Sequence, residues 1–393
     1  MKSVGLFAGI GGIELGFKSA KIDCVHLCEI NPGAAEVLER SFKGVPLTYD
    51  VKELTALPDT DIVAGGFPCQ NLSLAGDNKG IHGEKSGLVN DFFRLIKSMR
   101  KKPTWIALEN VPFMLWQRKG EAMRYVTGLF DDFGYRWAYR VVDARSWGRP
   151  QRRRRVLFVA SQTEDPRSVL FADEAIADYD TDHGDAPCGF YWTEGKRGLG
   201  WAPNATPTIK GGSTIGIPSL PAIWFRSTGD LATPDICDAE RLQGFRAGWT
   251  DVEVAGKAIK MGFRCSMVGN AVSVPMAKWL GSRLVKPGTY ATERTMSQFI
   301  SGVWPNAAWG APGEVFPVNI SEFPKKLTYT GLDVFLKYPT KPLSVKASSG
   351  FLKRARSGKT RFADGFLQAV EAHIKKEEAT QNGEVPELTL EKV

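Results

Sequence analysis

The first twenty residues constrain the fold more than any other stretch of this chain. Ser3–Phe7 is a short apolar run typical of a buried strand, and Ile13–Ala20 has the apolar spacing of a helix. Between them lies the turn AGIGG (residues 8–12), whose glycines let the backbone approach a ligand closely. A strand, a glycine turn and a helix in this order open a Rossmann-like α/β unit. The glycine spacing is not GxGxxG, so a dinucleotide is not specifically indicated.

Two carboxylates follow the next two candidate strands. Glu29 comes after Cys24–Leu27, and Asp50 comes after Pro46–Tyr49. An acid at the end of the second strand of such a unit is placed to bind ribose hydroxyls, and Asp50 is placed to face an adenine. Either residue alone is equally typical of an ordinary surface acid. Together with the glycine turn, they predict a cofactor that contains a nucleoside.

A cysteine stands at the end of another candidate strand. Asp61–Ala64 is apolar, two glycines end it, and Pro68 stiffens the turn that presents Cys69. A thiol at such a position is a candidate nucleophile, because backbone amides around it stabilise the thiolate. The segment by itself is equally compatible with a buried structural cysteine. The stretch 76–87, with four glycines among polar residues, is either a lid or an ordinary surface loop.

Two further elements bring charged side chains to the same edge of the predicted sheet. The candidate strand Thr104–Leu108 ends at Glu109, which is either a general acid or the cap of the following turn. Further along, the run QRRRR (residues 151–155) enters another candidate strand. Alternation along a strand sends Arg153 and Arg155 to one face and the other two arginines to the opposite face. Charge runs are most often solvated, but here one pair is predicted to point into the crevice at the strand ends.

Composition sets the remaining bounds. The chain has 393 residues, enough for two or three domains, and its net charge of +8 suits a polyanionic partner as readily as a merely basic enzyme. Its six cysteines form no CxxC pair and its four histidines fit no metal motif, so we expect no metal and a reducing cytoplasm. There is no apolar run long enough to span a membrane and no signal peptide, so no membrane association is expected.

The second half of the chain is less regular. Eight acids against one arginine in Glu164–Asp185 predict a solvated excursion that avoids polyanions. Gly195–Pro221 is rich in glycine, proline, serine and threonine, which predicts a small irregular domain with loops that read a ligand or nucleic acid. Asp235–Gln243 and Ser344–Arg356 are candidate helices, and the basic end of the second either follows a phosphate backbone or is simply solvated. The polar stretch 377–393 is predicted to fray.

Taken in order, these motifs resemble those of the bacterial and phage DNA (cytosine-5)-methyltransferases. The resemblance covers roughly residues 2–284 apart from the acidic excursion, and a set of six motifs in this order does not arise by chance. The six are FAGIGGIELGF (7–17), GGFPCQNLS (65–73), ENV (109–111), QRRRR (151–155), AERLQGF (239–245) and GNAVSVPMA (269–277). The resemblance implies an α/β fold: a Rossmann-like S-adenosylmethionine-dependent methyltransferase sheet with helices on both faces, plus a small irregular target-recognition domain.

The resemblance also implies a role for individual residues. Cys69 is the nucleophile that adds to C6 of a flipped-out cytosine, and Glu109 is the acid at N3. Arg155 contacts the base or its phosphate, and Arg153 supports the site. The implied residues of the S-adenosylmethionine pocket are Phe7, Gly9, Gly11, Glu29, Ile30, Asp50, Asn270 and Val272. The implied DNA contacts are Gln70, Ser73, Thr208 and Lys210, with the loop 76–87 as the closing lid.

The implied activity is sequence-specific transfer of a methyl group from S-adenosylmethionine to C5 of cytosine in double-stranded DNA. The expected organisation is a cofactor-binding catalytic part at 1–163, a target-recognition region at 164–260, a return to the catalytic domain at 261–285 and an extension without an assigned role at 286–393. We further expect a cytoplasmic monomer, with a cognate restriction endonuclease as a candidate partner.

Three alternatives stay open at this point. An RNA cytosine methyltransferase uses similar elements, although the separate recognition region and the Phe-Pro-Cys context favour DNA. A catalytically silent DNA-binding homologue or regulator would share the fold alone, but Cys69, Glu109 and Arg155 are all present. A homologue that adds a larger group from a modified cofactor would carry the same pocket motifs.

Overall fold

A computed structural model describes most of the chain. The described ranges are 1–67, 87–182, 184–196, 198–213, 215–217 and 219–383. The candidate nucleophile Cys69 and the candidate DNA contacts Gln70 and Ser73 lie outside the described residues. The same holds for the predicted lid 76–87, apart from its last residue.

The strands of the described residues are short, and the longest lie in the middle of one large sheet. In chain order they are β1 (Lys2–Leu6), β2 (Asp23–Cys28), β3 (Leu47–Thr48), β4 (Ile62–Gly65), β5 (Trp105–Asn110), β6 (Arg136–Asp143), β7 (Gln151–Arg152), β8 (Arg154–Ser161), β9 (Cys188–Phe190), β10 (Ala202–Pro203), β11 (Thr206–Pro207), β12 (Ala222–Trp224), β13 (Leu231–Thr233), β14 (Glu253–Val254), β15 (Lys257–Ala258), β16 (Ala307–Ala311), β17 (Glu314–Pro317) and β18 (Lys341–Pro342). The large sheet has the order β17-β16-β6-β8-β5-β4-β1-β2-β3. Its half from β3 to β5 is parallel, and the strands from β8 outwards are antiparallel.

Helices cover both faces of this sheet. The α-helices of the described residues are α1 (Gly12–Ser19), α2 (Pro32–Ser41), α3 (Gly87–Ser98), α4 (Glu121–Asp132), α5 (Arg167–Leu170), α6 (Ile236–Gln243), α7 (Met261–Asn270), α8 (Val274–Val285), α9 (Leu332–Phe335), α10 (Val345–Arg356) and α11 (Phe366–Gln381). The predicted helix at 344–356 is confirmed, and the Ser344 hydroxyl caps it by accepting a hydrogen bond from the Ala347 amide. In the described part of the chain, no helix has the length and apolar character that crossing a bilayer requires.

The central strands divide their side chains between two cores. In β5, Trp105 and Ala107 enter the layer that contains α1 and α8, whereas Ile106 and Leu108 enter the layer that contains α3 and α4. Because both faces are covered, these strands are apolar throughout rather than alternating in polarity. The predicted α/β sheet with helices on both faces is thereby confirmed.

Two glycines let α1 pack closely against the elements around α8. A Cβ atom at Gly12 would lie 2.2 Å from the carbonyl oxygen of Val272, and one at Gly16 would lie 2.5 Å from the Cβ of Ala277. Any larger residue would force these elements apart. The glycine-rich opening motif therefore serves helix packing as well as ligand approach.

A second sheet has the order β10-β9-β12-β13-β18, and the C-terminal part of the chain completes it. The edge strand β18 pairs with β13, and α10 and α11 pack on the sheet through Phe351, Phe366 and Val370. In addition, β16 and β17 lengthen the large sheet beyond β6. The expected extension at 286–393 thus contributes to both sheets. The predicted fraying of 377–393 is wrong as far as Gln381, where α11 ends, and residues 384–393 lie outside the described residues.

The acidic stretch Glu164–Asp185 is largely solvated, as its composition predicts, since six of its eight acids are exposed, but Asp173 is an exception. Asp173 is buried, and it accepts hydrogen bonds from Trp279 Nε1 at 2.7 Å, Arg283 Nε at 2.7 Å and Lys325 Nζ at 2.9 Å. Burial alone would raise the pKa of Asp173, but these donors lower it to about 2. The partners come from distant parts of the chain, so local composition does not reveal them.

Candidate active site

A cleft of about 730 Å³ opens at the carboxyl ends of the parallel strands. Ligands of open α/β sheets bind in this position. The residues predicted from the sequence that line the cleft are Phe7, Gly9, Glu29, Ile30, Asp50, Glu109, Arg155 and Asn270. Five others, Gly11, Arg153, Thr208, Lys210 and Val272, are described residues that do not line it. The cleft therefore gathers carboxylates from β2, β3 and β5 with a guanidinium from β8.

Glu29 organises the wall of the cleft nearest the glycine turn. Its carboxylate accepts a hydrogen bond from the Gly9 amide at 2.7 Å and another from the Asn31 amide at 2.8 Å. Burial raises the pKa of Glu29, and these backbone donors oppose the rise. Each carboxylate oxygen can accept a second hydrogen bond, so Glu29 can hold the turn and still bind hydroxyls of a ligand.

The lining of the cleft fits a ligand that contains a nucleoside. Glu29 and Asp50 supply acceptors, while Phe7 and Phe263 supply aromatic surface in the same cleft. Asp50 also accepts a hydrogen bond from the Lys52 amide at 2.9 Å, which fixes its turn. The volume suits a ligand of that size, since small-molecule pockets span about 300–1,000 Å³.

At the inner end of the cleft, Glu109 and Arg155 form an ion pair. The two residues lie on the adjacent antiparallel strands β5 and β8, and Arg155 Nε lies 2.7 Å from Glu109 Oε1. Both side chains are buried, and burial lowers the pKa of Arg155 while the Glu109 carboxylate opposes that change. Arg155 Nη1 also donates to the Arg154 carbonyl at 2.8 Å. The arginine is therefore fixed, and it holds the carboxylate in one orientation.

The segment that leads to Cys69 lies against this pair. A Cβ atom at Gly66 would be 3.3 Å from Glu109 Oε2, so the second carboxylate oxygen is beside that glycine. Asn110 Nδ2 donates to the carbonyl of Phe67 at 3.1 Å. Phe67 is the last described residue before the gap, and Cys69 follows it by two positions in the sequence.

Arg153 is buried outside the cleft, where its hydrogen bonds connect distant segments. It donates to the carbonyls of Ile209 at 3.0 Å, Gly269 at 3.1 Å and Ala271 at 2.6 Å. Burial lowers the pKa of Arg153, and the neighbouring Arg155 lowers it further. The predicted alternation along the arginine run is confirmed, because Arg153 and Arg155 are buried while the other two arginines are half-buried. Arg153 links the segment around Ile209 to the loop between α7 and α8.

Thr208 and Lys210 are held by residues of the hairpin between β9 and β10, which sequence reasoning missed. The Thr208 hydroxyl donates to the Arg152 carbonyl, and its own carbonyl accepts from the Tyr191 hydroxyl, both at 2.8 Å. Lys210 pairs with Glu194, and its ammonium lies 3.6 Å from the centre of the Tyr191 ring. In this arrangement Glu194 neutralises the charge of Lys210.

The segment 208–211, here called the strap, also reaches the cleft. A Cβ atom at Gly211 would lie 2.0 Å from Asn270 Oδ1, and Ser266 Oγ donates to the Gly211 carbonyl at 2.7 Å. Asn270 and Ser266 both line the cleft. Ser266 and Asn270 of α7 therefore contact the strap and also line the cleft.

Sequence reasoning also missed the segment that follows Glu109. Phe113 and Gln117 line the cleft, although neither lies at the end of a strand. The signal that points to them is apolar residues set in a polar, basic run, FMLWQRKG (113–120).

Comparisons with known proteins identify similar sequences and a similar structure. A family model described as C-5 cytosine-specific DNA methylase matches residues 1–183. The chain is 45% identical over 381 residues to Type II methyltransferase M2.BsuMI of Bacillus subtilis (strain 168), which covers 94% of this chain and 97% of that protein. It is 30% identical over 166 residues to Type II methyltransferase M.HhaI of Haemophilus parahaemolyticus, covering 42% of this chain and 50% of that one. The crystal structure of S. pombe Dnmt2 methyltransferase shares the fold, with a TM-score of 0.54 and 16% identity over 73% of this chain and 98% of that chain.

Proposed function

The chain belongs to the C-5 cytosine-specific DNA methylase family, and on that premise we propose that Cys69, Glu109 and Arg155 carry out its methyl transfer. The protein is a DNA (cytosine-5)-methyltransferase that uses S-adenosylmethionine. The observation that carries the residue assignment is the buried Glu109–Arg155 pair, which lies beside the segment leading to Cys69.

The cleft residues bind and orient the methyl donor. When bound, S-adenosylmethionine supplies an electrophilic methyl group on a positively charged sulfur. Glu29 accepts hydrogen bonds from the ribose hydroxyls, Asp50 lies on the adenine side, and Phe7 stacks on the cofactor. Asn270 closes the pocket from α7.

Cys69 makes the cytosine ring reactive. C5 of cytosine is a poor nucleophile, whereas C6 is electron-poor. When the Cys69 thiolate forms a bond to C6, the electron pair of the C5–C6 double bond becomes available at C5 for the methyl group. A base acting through water then removes the C5 proton, the C5–C6 double bond reforms, and Cys69 leaves as a thiolate.

Glu109 stabilises the ring while the sulfur is attached. Charge develops at N3 during the attack, and a carboxyl group that protonates or hydrogen-bonds N3 stabilises it. Arg155 occupies Glu109 Oε1, so Oε2, beside Gly66, is the oxygen that serves the base. Arg155 also provides a fixed positive charge that favours the Cys69 thiolate.

The target base has to leave the duplex for this chemistry. A stacked cytosine does not offer its ring face to a thiol, so the base is flipped into the cleft at a cost of about a few kcal/mol. Thr208 lies near the flipped base and Lys210 on the DNA side of the strap. Gln70, Ser73 and the loop 76–87 close over the base.

The proposal extends to organisation and context. Residues 1–163 and 261–285 form the catalytic part and 164–260 the recognition region, with 286–393 contributing strands to both. The protein acts as a cytoplasmic monomer. A cognate restriction endonuclease is its candidate partner, because the relatives are named Type II methyltransferases.

Bisulfite sequencing of DNA from cells that express the protein tests this function. We expect 5-methylcytosine at one defined sequence, and none in cells that express Cys69→Ala at the same level. An absence of new methylcytosine in DNA, or methylation confined to RNA, would overturn the proposed function.

A further inference from the structure

The segment from Pro112 to Lys119, here called the rim segment, forms one edge of the cleft. It follows directly after the strand that carries Glu109, and its residues Phe113 and Gln117 line the cleft. A base that reaches Glu109 from a duplex therefore passes this edge. The residues that the rim segment exposes decide what the cleft mouth can hold.

The rim segment turns two aromatic rings outwards. Phe113 is 49% exposed and Trp116 is 47% exposed, whereas Met114 and Leu115 between them are buried in the core. The two rings meet edge to face with their centres 6.0 Å apart. The buried pair anchors the segment, so the outward position of the aromatic pair is fixed rather than a result of local looseness.

Two basic residues follow in a strained backbone. Arg118 has φ 47° and ψ 46°, and Lys119 has φ 58° and ψ 33°, both in the left-handed region. That conformation is unfavourable for any residue other than glycine, so surrounding structure has to hold it. Lys119 donates from its amide to the Trp116 carbonyl at 3.0 Å, and its own carbonyl accepts from Arg124 Nη1 at 2.6 Å.

Arg118 and Lys119 are exposed, and within the described ranges neither has an ion-pair partner. Other cations near the cleft are engaged: Arg155 pairs with Glu109, and Lys210 pairs with Glu194. Two exposed, unpaired charges next to two exposed aromatic rings form a surface that suits a nucleic-acid strand, which offers phosphates and flat bases together.

We propose that the rim segment binds the DNA strand beside the flipped cytosine, with Arg118 and Lys119 on its phosphates and Trp116 against the neighbouring nucleotide. This inference rests on the proposed function, since it takes DNA as the substrate of the cleft. It adds a binding surface on the catalytic side, separate from the strap that carries Thr208 and Lys210.

The salt dependence of binding to a short duplex separates this role from a general effect of charge. We compare Arg118→Gln/Lys119→Gln with the control variant Lys97→Gln/Arg100→Gln, which removes the same charge. Lys97 and Arg100 lie near the C-terminal end of α3, whereas the cleft residue Leu88 lies at its N-terminal end. Each lost phosphate contact lowers the slope of log K against log salt by about 0.9, so the rim variant is expected to lose about 2. The control variant is expected to keep the wild-type slope.

Trp116→Ala provides an independent arm. It is expected to weaken duplex binding about tenfold with an unchanged salt slope, since stacking carries no charge. The KM for S-adenosylmethionine stays at its wild-type value in all three variants. Equal slopes for the rim and control variants would overturn the proposal. If the wild-type protein and the variants bind DNA with the expected slopes but the wild-type protein never methylates it, the proposed function is refuted. The proposal that the rim segment binds DNA would still hold in that case.

Discussion

The two sheets of this molecule differ in how the chain builds them. In the parallel half of the large sheet, β1, β2, β4 and β5 follow one another along the chain with helices between them. In the second sheet, β9 and β12 pair with each other, and the edge strand comes from Lys341–Pro342, far along the chain. The first sheet holds the proposed catalytic residues at its strand ends, whereas the second sheet depends on a late segment for its edge strand.

This difference predicts which binding functions a destabilising substitution impairs together. The proposed catalytic residues Glu109 and Arg155 lie on adjacent strands inside one well-covered sheet. The recognition side is held by contacts between distant segments, through Arg153 and Tyr191 as well as through the C-terminal helices. Damage to the late segment is therefore expected to reach DNA recognition before it reaches the cofactor.

The largest expected effect is at the active end of the first sheet. Glu109→Gln removes the carboxyl group that is proposed to stabilise charge at N3, so we expect kcat to fall by about 10²–10⁴, the usual contribution of a general acid. Methyl transfer to a duplex from radiolabelled S-adenosylmethionine measures it.

The matched control is the second arginine–carboxylate pair on the same strand. Glu322 pairs with Arg154, which lies on β8 next to Arg155. Glu322→Gln is expected to leave kcat within a few-fold of wild type. Equal losses in both variants would show that the Glu109 effect is structural rather than catalytic.

Sequence reasoning located the first sheet well because its signals are local. Glu29, Asp50 and Glu109 each follow an apolar run, and all three line the cleft. It could not place the second sheet, since strands of two or three residues leave no pattern and their pairing is non-local. For the same reason it placed Arg153 among the site residues without its buried partners, and overlooked Phe113.

A core substitution in α11, which packs on the second sheet, sharpens the comparison. Phe366 is fully buried and contacts Phe190, Trp201 and Trp224. Phe366→Ala is expected to cost about 3–5 kcal/mol of local stability. Calorimetric titration should then show lost DNA binding with S-adenosylmethionine binding retained.

Phe158→Ala, in the core of the large sheet, serves as its counterpart. Phe158 is also fully buried, so the loss of packing is similar. This variant is expected to lose both ligands. If Phe366→Ala also loses S-adenosylmethionine, the two sheets do not fail separately as the comparison requires.

The free energy of unfolding is also expected to depend on pH through a buried carboxyl group in α1, which packs on the first sheet. Glu14 is 2% exposed in α1, and burial raises its pKa from 4.5 to about 7. Because the folded state holds the proton more tightly, this stabilisation is complete below pH 4.5 and is lost as pH rises through about 7. Glu14→Gln removes the effect, which is on the order of 3 kcal/mol.

Urea unfolding across this pH range tests the role of Glu14. We expect the variant to gain stability relative to wild type as pH rises from 4.5 to 7. A constant difference between the two proteins would mean that Glu14 does not titrate with a raised pKa.

The smallest expected effect lies on the recognition strap. Because Glu194 already neutralises Lys210, Lys210→Gln is expected to change duplex affinity by about 1 kcal/mol or less and to leave the salt slope nearly unchanged. A slope that falls by about 0.9 would instead show that Lys210 leaves Glu194 to bind a phosphate.

The most direct test of the central claim is a covalent trap at Cys69. A duplex with 5-fluorocytosine at the target position is incubated with S-adenosylmethionine, and because fluorine cannot leave as the C5 proton does, the adduct persists. Peptide mass spectrometry is expected to find the modified nucleotide on Cys69 in the wild-type protein and on no residue in Cys69→Ala. Wild-type protein that methylates normal DNA but forms no adduct, or forms it on another residue, would contradict the account.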